Sequence, residues 1–330
     1  MAILVTGGAG YVGSHCVKEL LRQGRDVVVL DNLSQGHREA VLTDQFVQAD
    51  LLDSQALSQA FDEYPIDAVM HFAALASVPD SVVNPQRYYE NNVTGTLNLL
   101  HAMRDRRVSR LIFSSSAAVY GDPDVIPIPE GHPKRPKNPY GRTKWMMEQI
   151  LEDFSQAYGL RYVALRYFNA AGCDLHGELG EAHDPETHLI PIVLDAALGR
   201  RESVSLYGID YDTPDGTCIR DYVHVADLAT AHTLALDVLK ESAGGTAYNL
   251  GIGRGYSVRE VIETCRKVTG REIDVVEEKR RAGDPPRLVA DPSRARNDLG
   301  WEPRFSVLRG IIATAWNWRK EQSARDEAGD

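Results

Sequence analysis

The chain has 330 residues, 43% of them hydrophobic and 25% charged, which suits one large α/β unit or two packed domains. Its formal net charge of -11 excludes a basic face for nucleic acid or an anionic membrane, and no apolar run is long enough to span a bilayer. Four scattered cysteines, Cys16, Cys173, Cys218 and Cys265, show no paired ligand spacing and read as the reduced thiols of a cytoplasmic protein.

Ala2–Val5 reads as a strand, so no signal peptide is expected ahead of the fold. The turn TGGAGYVG follows, and Tyr11 to Leu21 then carries apolar residues at helical spacing. Gly7, Gly10 and Gly13 fall three apart in that turn. Glycine allows a positive φ and close backbone approach, and a helix N-terminus offers unpaired N–H groups to a phosphate. A purely structural tight turn uses the same residues, but the strand–turn–helix context points to dinucleotide binding. The next strand, Val27–Leu30, ends in Asp31, eighteen residues past Gly13. That is near the spacing of an acid that accepts hydrogen bonds from the adenosine ribose. Its charge would repel a 2′-phosphate and no arginine follows at once, so NAD is expected rather than NADP. A surface aspartate capping a turn is the plainer alternative. Asp50, after the strand Gln45–Gln48, is placed to reach the adenine edge.

A helix at Ser54–Phe61, a strand at Ala68–Phe72, a helix at Tyr88–Met103, a strand at Arg110–Ser114, a helix at Thr143–Tyr158 and a strand at Tyr162–Arg166 continue the alternation. This predicts an α/β fold with a doubly wound parallel Rossmann sheet. Ser116 lies just past a strand C-terminus, where open α/β sheets place their ligands. Tyr140 and Lys144 are four apart and share a helix face. A tyrosine near pKa 10 is a poor base at neutral pH, but a lysine ammonium and a bound NAD⁺ ring favour the phenolate. A drop of about three units represents roughly 4 kcal/mol of differential stabilisation. Such a phenolate, with Ser116 bridging, would remove a hydroxyl proton while hydride leaves the carbon for NAD⁺. The pair alone is common by chance; the glycine turn and the strand-end serine give it meaning.

Around Asn169 the rhythm breaks, and Gly172–Pro185 reads as a loop into a smaller α/β substrate domain. The expected division is 1–172 for the NAD-binding domain and 173–330 for the substrate domain. A helix at Asp227–Leu239 and a strand at Ala247–Leu250 suggest that a segment near 225–250 returns to the first domain. The tail after Lys320, EQSARDEAGD, is charged and expected to fray. HDPETH contains His183 and His188, but their spacing does not match the helical HExxH arrangement, so no metal site is expected.

TGGAGYVGSH, DNLSQGH, HFAA, NNVTGT, SSSAAVYG, YGRTK, RYFNAAG, HLIP, DGTCIRDYVHV and RRAGDP together resemble the UDP-glucose 4-epimerases, extended short-chain dehydrogenases/reductases, nearly from end to end. The resemblance implies reversible epimerisation at C4 of a UDP-hexose through a transient 4-keto sugar, with tightly bound NAD, in a homodimer. It makes Tyr140 the base, Lys144 its electrostatic partner and a ribose ligand, and Ser116 a contact to the sugar hydroxyl. Around the cofactor it places Gly7, Gly10, Gly13 and Asp31, with Tyr11 and Val12 from the glycine turn. Asn32, Leu33, Ser34, Gln35 and Gly36 follow from DNLSQGH, with Asp50 and Leu51 beyond the third strand. Phe72, Ala73 and Ala74 come from HFAA, with Asn91, Ser114 and Phe168. Asn169 and the His188–Leu189 backbone would face the UDP. Tyr207 would stack near the uracil beside Ser205, Arg220 and Arg281 would bind the pyrophosphate, and Asp284 the uridine ribose. For Arg220 a salt bridge to Asp221 or a neighbour is the plainer alternative. Leu288 would border the hexose pocket, where a tyrosine is associated with exclusion of N-acetylated sugars.

Two residues depart from the family pattern: Ala76, where many members have lysine, and Ala118, which replaces a threonine beside the serine. Rival readings are an epimerase of a UDP-pentose or UDP-uronate, a sugar-nucleotide dehydratase or decarboxylase, and a non-catalytic NAD-sensing binder. Relatives that dehydrate carry an acid directly after the position of Ser116, whereas this chain has Ala117 and Ala118. A mere binder has no use for Ser116, Tyr140 and Lys144 together.

Overall fold

Parallel strands covered on both faces need continuous apolar runs, and AILVT and DVVVLD supply them. In the computed structural model, which describes residues 1–239, 244–281 and 283–329, the elements in chain order begin with β1 (Ala2–Thr6), α1 (Tyr11–Arg22), β2 (Asp26–Asp31), β3 (Phe46–Gln48), α2 (Ser54–Glu63) and β4 (Ile66–His71). Then come α3 (Val78–Val83), α4 (Pro85–Tyr88), a π-helical stretch at Tyr89–Thr94, α5 (Gly95–Asp105), β5 (Arg110–Ser116), α6 (Pro139–Tyr158), β6 (Arg161–Tyr167) and β7 (Asn169–Ala171). The remainder comprises α7 (Leu189–Ala197), β8 (Val204–Tyr207), β9 (Ile219–His224), α8 (Val225–Val238), β10 (Gly245–Leu250), β11 (Gly255–Ser257), α9 (Val258–Thr269), β12 (Val275–Glu278), β13 (Arg287–Leu288), α10 (Ser293–Leu299) and α11 (Leu308–Gly329).

Seven strands form one parallel sheet in the order β10-β6-β5-β4-β1-β2-β3. The direction of winding reverses between β1 and β4, which opens a crevice at the strand C-termini there. Each face is sealed by its own apolar cluster. One joins Val17 and Leu20 of α1 to Leu228, Ala231 and Ala235 of α8; the other joins Leu57, Leu99, Leu100, Met147 and Leu151 of α2, α5 and α6. β10 lies beside β6, and Ala295, Leu299 and Trp301 pack into the α1–α8 cluster, so the later chain re-enters this sheet's layers twice. A second sheet runs β11-β9-β13 with β7 on β9, β8 pairs with β12, and α7, α9 and α11 cover a third cluster. The four cysteines are free and buried. Among the described residues no helix is long and apolar enough to cross a membrane.

The helix expected at Tyr88–Met103 is not continuous. A π turn intervenes, and the extra residue aims Asn92 inward, where it accepts from Leu75 N (2.8 Å) and donates to Leu75 O (3.0 Å) and Thr143 Oγ1 (3.1 Å). The next helix starts at Pro139 rather than Thr143, because Pro139 fits the first turn and Asn138 caps Gly141 N at 2.8 Å. Tyr140 therefore sits in the helix with Lys144. The tail expected to fray continues α11 as far as Gly329, its Glu, Gln, Ala and Arg being strong helix formers, while Asp330 lies outside the described residues.

Candidate active site

Gly7, at φ 73°, stands where a Cβ would collide with the backbone of Phe72 and Ala73, and a Cβ on Gly13 would overlap the Gly7 carbonyl. Only glycine lets β1, the HFAA segment and α1 close around the crevice. Tyr11 and Val12 open α1; the Tyr11 hydroxyl donates to Gly172 O at 2.5 Å, so only the backbone of that turn is left to face a ligand. Asp31, buried at the end of β2, accepts Ala9 N through one carboxylate oxygen (3.0 Å) and Leu33 N through the other (2.9 Å). Burial raises its pKa, with those two backbone bonds opposing. Fixed from both sides, the carboxylate keeps its outer lone pairs for hydroxyl donors. Asn32 donates to Asp50 at 2.7 Å, and Asp50 also accepts Leu52 N at 2.8 Å.

Residues from these segments line an open cleft. Its wall includes Gly7, Gly10, Asp31, Asn32, Ser34, Gln35 and Gly36, and, from the other side, Asp50, Leu51, Phe72, Ala73, Ala74 and Asn91. Leu33 and Val12 pack into the apolar cluster instead of the cleft. A glycine cradle, a helix N-terminus and a fixed acid at the end of β2 fit a dinucleotide.

Beside the cleft, Ser116 ends β5 and its Oγ accepts Ala118 N at 3.2 Å. Lys144 Nζ donates to Ser114 O at 2.7 Å and lies 5.9 Å from the centre of the Tyr140 ring. Ser114 Oγ pairs with the Tyr167 hydroxyl at 2.7 Å. Tyr140 packs with Leu75, Tyr88 and Ala118. Burial raises the Tyr140 pKa, opposed by a hydrogen bond with Ser116, and burial lowers Lys144 to about 7 against the pull of Glu148. Desolvation in this pocket works against both charged forms, so a further positive charge beside Tyr140 is required.

The motifs missed two partners of this centre. Glu148, one turn beyond Lys144, is held by Arg166 (Nε to Oε1 2.9 Å, Nη2 to Oε2 2.5 Å) and by Ser115 Oγ (2.5 Å), with both charged side chains 5% exposed. The signal was present in the four-residue step 140, 144, 148 along one helical stripe.

The proposed nucleotide residues gather on the second unit. Asn169, Arg220 and Leu288 belong to one sheet, with Leu288 in register with Arg220. Arg220 donates to Ile219 O and Pro285 O, both at 2.9 Å, and lies 3.9 Å from Asp284; Asp221 instead accepts three backbone N–H groups, from Ile252, Gly253 and Ala290. Of the two plainer partners for Arg220, the neighbour is present and Asp221 is not. The Arg281 guanidinium stacks 3.9 Å from the Tyr207 ring centre, and Arg281 and Ser205 beside the Tyr207 hydroxyl lower its pKa. His188 caps α7, with Leu189 the first helical residue. Phe168 is buried, its N–H donating to Leu250 O at 3.2 Å. Leu288 packs with Phe168, Ala117, Val119 and Tyr120, directly beyond Ser116.

The model of the NAD dependent epimerase/dehydratase family matches residues 3–251, and the chain belongs to that family. Its relatives there include many UDP-glucose 4-epimerases. The one from Halalkalibacterium halodurans is 53% identical over 97% of this chain and 96% of its own length. The structure of the Brucella ovis UDP-glucose 4-epimerase in complex with NAD is 54% identical, with a TM-score of 0.93 over 96% of this chain and 97% of that one. That of the Bifidobacterium longum enzyme in complex with NAD⁺ and UDP is 40% identical, with a TM-score of 0.94 over 98% and 99%.

Proposed function

We propose that this chain is an NAD-dependent UDP-glucose 4-epimerase that interconverts UDP-glucose and UDP-galactose. The observation that carries the reading is the set Ser116, Tyr140 and Lys144 beside a dinucleotide cleft, with Ala117 and Ala118 after the serine and Glu148 committed to Arg166 and Ser115. That set exchanges one hydroxyl proton and offers no acid to expel a second hydroxyl, which favours epimerisation over dehydration. Bound NAD⁺ supplies a hydride acceptor at C4, a hydride donor on return, and a positive ring beside Tyr140. Tyr140 takes the proton of the 4-hydroxyl and later gives it back. Ser116 holds the sugar oxygen, and Lys144, anchored on Ser114 O, holds the ribose and the charge balance of the phenolate. Arg220 and Arg281 grip the diphosphate, since a forked, permanently charged guanidinium suits it. With the nucleotide held there, the 4-keto sugar turns to present its other face.

Purified protein should convert UDP-galactose to UDP-glucose without added cofactor. No conversion, or a 4-keto-6-deoxy product, overturns the reading. Protein stripped of nucleotide should regain activity with NAD⁺ but bind NADP⁺ roughly a hundredfold more weakly, because like-charge juxtaposition with Asp31 costs several kcal/mol. Equal reconstitution by both would remove Asp31 from cofactor choice.

Leu288 supports a pocket wide enough for a C2 acetamido group, so UDP-N-acetylgalactosamine should also be turned over. Leu288→Tyr should depress that activity by about ten- to a hundredfold and leave UDP-galactose nearly untouched. Absence of the N-acetylated activity in the wild type would show that Leu288 does not widen the pocket. Buried reduced cysteines support a cytoplasmic setting, and the homodimer rests on the family resemblance; sedimentation of the intact protein tests the latter.

A further inference from the structure

We propose that Glu181, His183, Glu186 and His188 form a closed, four-coordinate site for a zinc-class divalent cation that fastens the 174–188 loop to the glycine turn. The four side chains each present one ligand atom, and these atoms all lie within 4.8 Å of one another. His183 Nδ1 is 3.4 Å from Glu181 Oε1 and 3.8 Å from Glu186 Oε1, and His188 Nδ1 is 2.6 Å and 3.6 Å from the same two oxygens. A tetrahedral zinc ion with bonds near 2.1 Å sets its ligand atoms about 3.4 Å apart, close to the middle of that spread. A helix is one way to align two histidines and a loop is another, so the absence of a helical HExxH spacing does not exclude the site.

A second, independent observation points the same way. Glu181, 3% exposed, and His183 each turn an inward atom, Oε1 and Nδ1, that has no well-aligned hydrogen bond, the 2.6 Å approach of His188 Nδ1 to that oxygen being poorly angled for one. Buried polar atoms are nearly always satisfied, and here the orphans face one another across the cluster. Charge completes the case. Glu181, Glu186 and Asp195 are buried carboxylates, and Arg319 is the cation bonded to two of them, Glu186 (3.0 Å) and Asp195 (3.1 Å). With both imidazoles neutral, as ligation requires, the group carries two excess negative charges, which one divalent ion cancels, whereas without the ion Glu181 and Glu186 hold His188 protonated. Thr187 N and His188 N donate to Glu186 Oε1 at 2.8 and 2.9 Å and, with Arg319, orient that carboxylate as outer partners orient metal ligands.

The location gives the site its purpose. Between two of the ligands, Ala182 O meets His37 Nε2 at 2.6 Å, and the His183 ring stands edge-on to Tyr11 at 6.2 Å. The ion would tie the second unit to the loop after β2 and to the start of α1, where the cofactor is proposed to lie. With four protein ligands no position is left for substrate, so the role is structural.

The test uses intact protein without a polyhistidine tag. Elemental analysis should find about one zinc ion per chain. Stripping with a chelator should lower the thermal midpoint, zinc but not magnesium should restore it, and cobalt(II) should give the intense visible bands of a tetrahedral site. His183→Ala should lose the ion. Should that variant fail to fold, the cobalt spectrum of the stripped wild type decides. Less than about a tenth of an ion per chain with no cobalt bands, or zinc retained in full by folded His183→Ala, overturns the proposal. The first of these results would leave a network of imidazolium–carboxylate pairs.

Discussion

Tyr140→Phe is expected to keep its cofactor and its affinity for UDP while turnover falls by about two to four orders of magnitude. The ring packs with Leu75, Tyr88 and Ala118, and phenylalanine fills the same space, so the fold should not notice the change. What disappears is one oxygen, the atom proposed to carry the proton of the 4-hydroxyl. Since burial raises the Tyr140 pKa, the wild-type rate should climb with pH as the phenolate becomes accessible, and the variant should lose that limb of the profile. Steady-state kinetics beside nucleotide content measured on the same sample separate chemistry from binding. Activity near that of the wild type would remove Tyr140 from the role of base.

Glu148→Ala is expected to destabilise the protein by about 3–5 kcal/mol, because it leaves the Arg166 guanidinium buried and uncompensated. Arg166 also donates to the Tyr120 hydroxyl (2.9 Å) and Glu130 O (3.1 Å), but neither cancels its charge. Urea unfolding should show the loss, and Glu148→Met combined with Arg166→Met should recover much of it, since replacing both partners removes the orphaned charge. The substitution should reach the active site too. Glu148 pulls the Lys144 pKa upward against burial, so without it Lys144 loses its proton at a lower pH. The alkaline limb of the rate profile should therefore move towards acid. An unchanged unfolding midpoint would mean that the ion pair contributes nothing beyond what a hydrophobic pair provides.

The large sheet was legible because its strands are covered on both faces, and continuous runs such as VVVL admit little else. The glycine turn was legible for a related reason: a Cβ at Gly7 or Gly13 meets backbone, so the residue type reports the geometry directly. Strands of two or three residues such as β7, β11 and β13 carry no periodicity, and they escaped notice even though Asn169 and Leu288 lie on them. The π turn at Tyr89–Thr94 was invisible because its cause, the Asn92 bonds to Leu75 and Thr143, spans 17 and 51 residues. Arg166 was hidden in the same way. Read along the chain it is one of two arginines bracketing the run YVAL, and only the packing of α6 on β6 brings Glu148 against it. His183 and His188 lie on a loop, where helical spacing says nothing about how near the fold brings two side chains.

The position of β10 has a bearing on how the molecule comes to be made. Translation delivers β6 well before Gly245–Leu250, the segment that lies beside it. Throughout that interval β6 offers a bare row of N–H and C=O groups, a template for a neighbouring nascent chain. Trp301, fully buried in the layer beneath, arrives later still. A ribosome that stalls after the tyrosine and lysine have emerged would therefore display a nearly complete catalytic half with an adhesive border. The newborn chain remains exposed to self-association until its last quarter has been released.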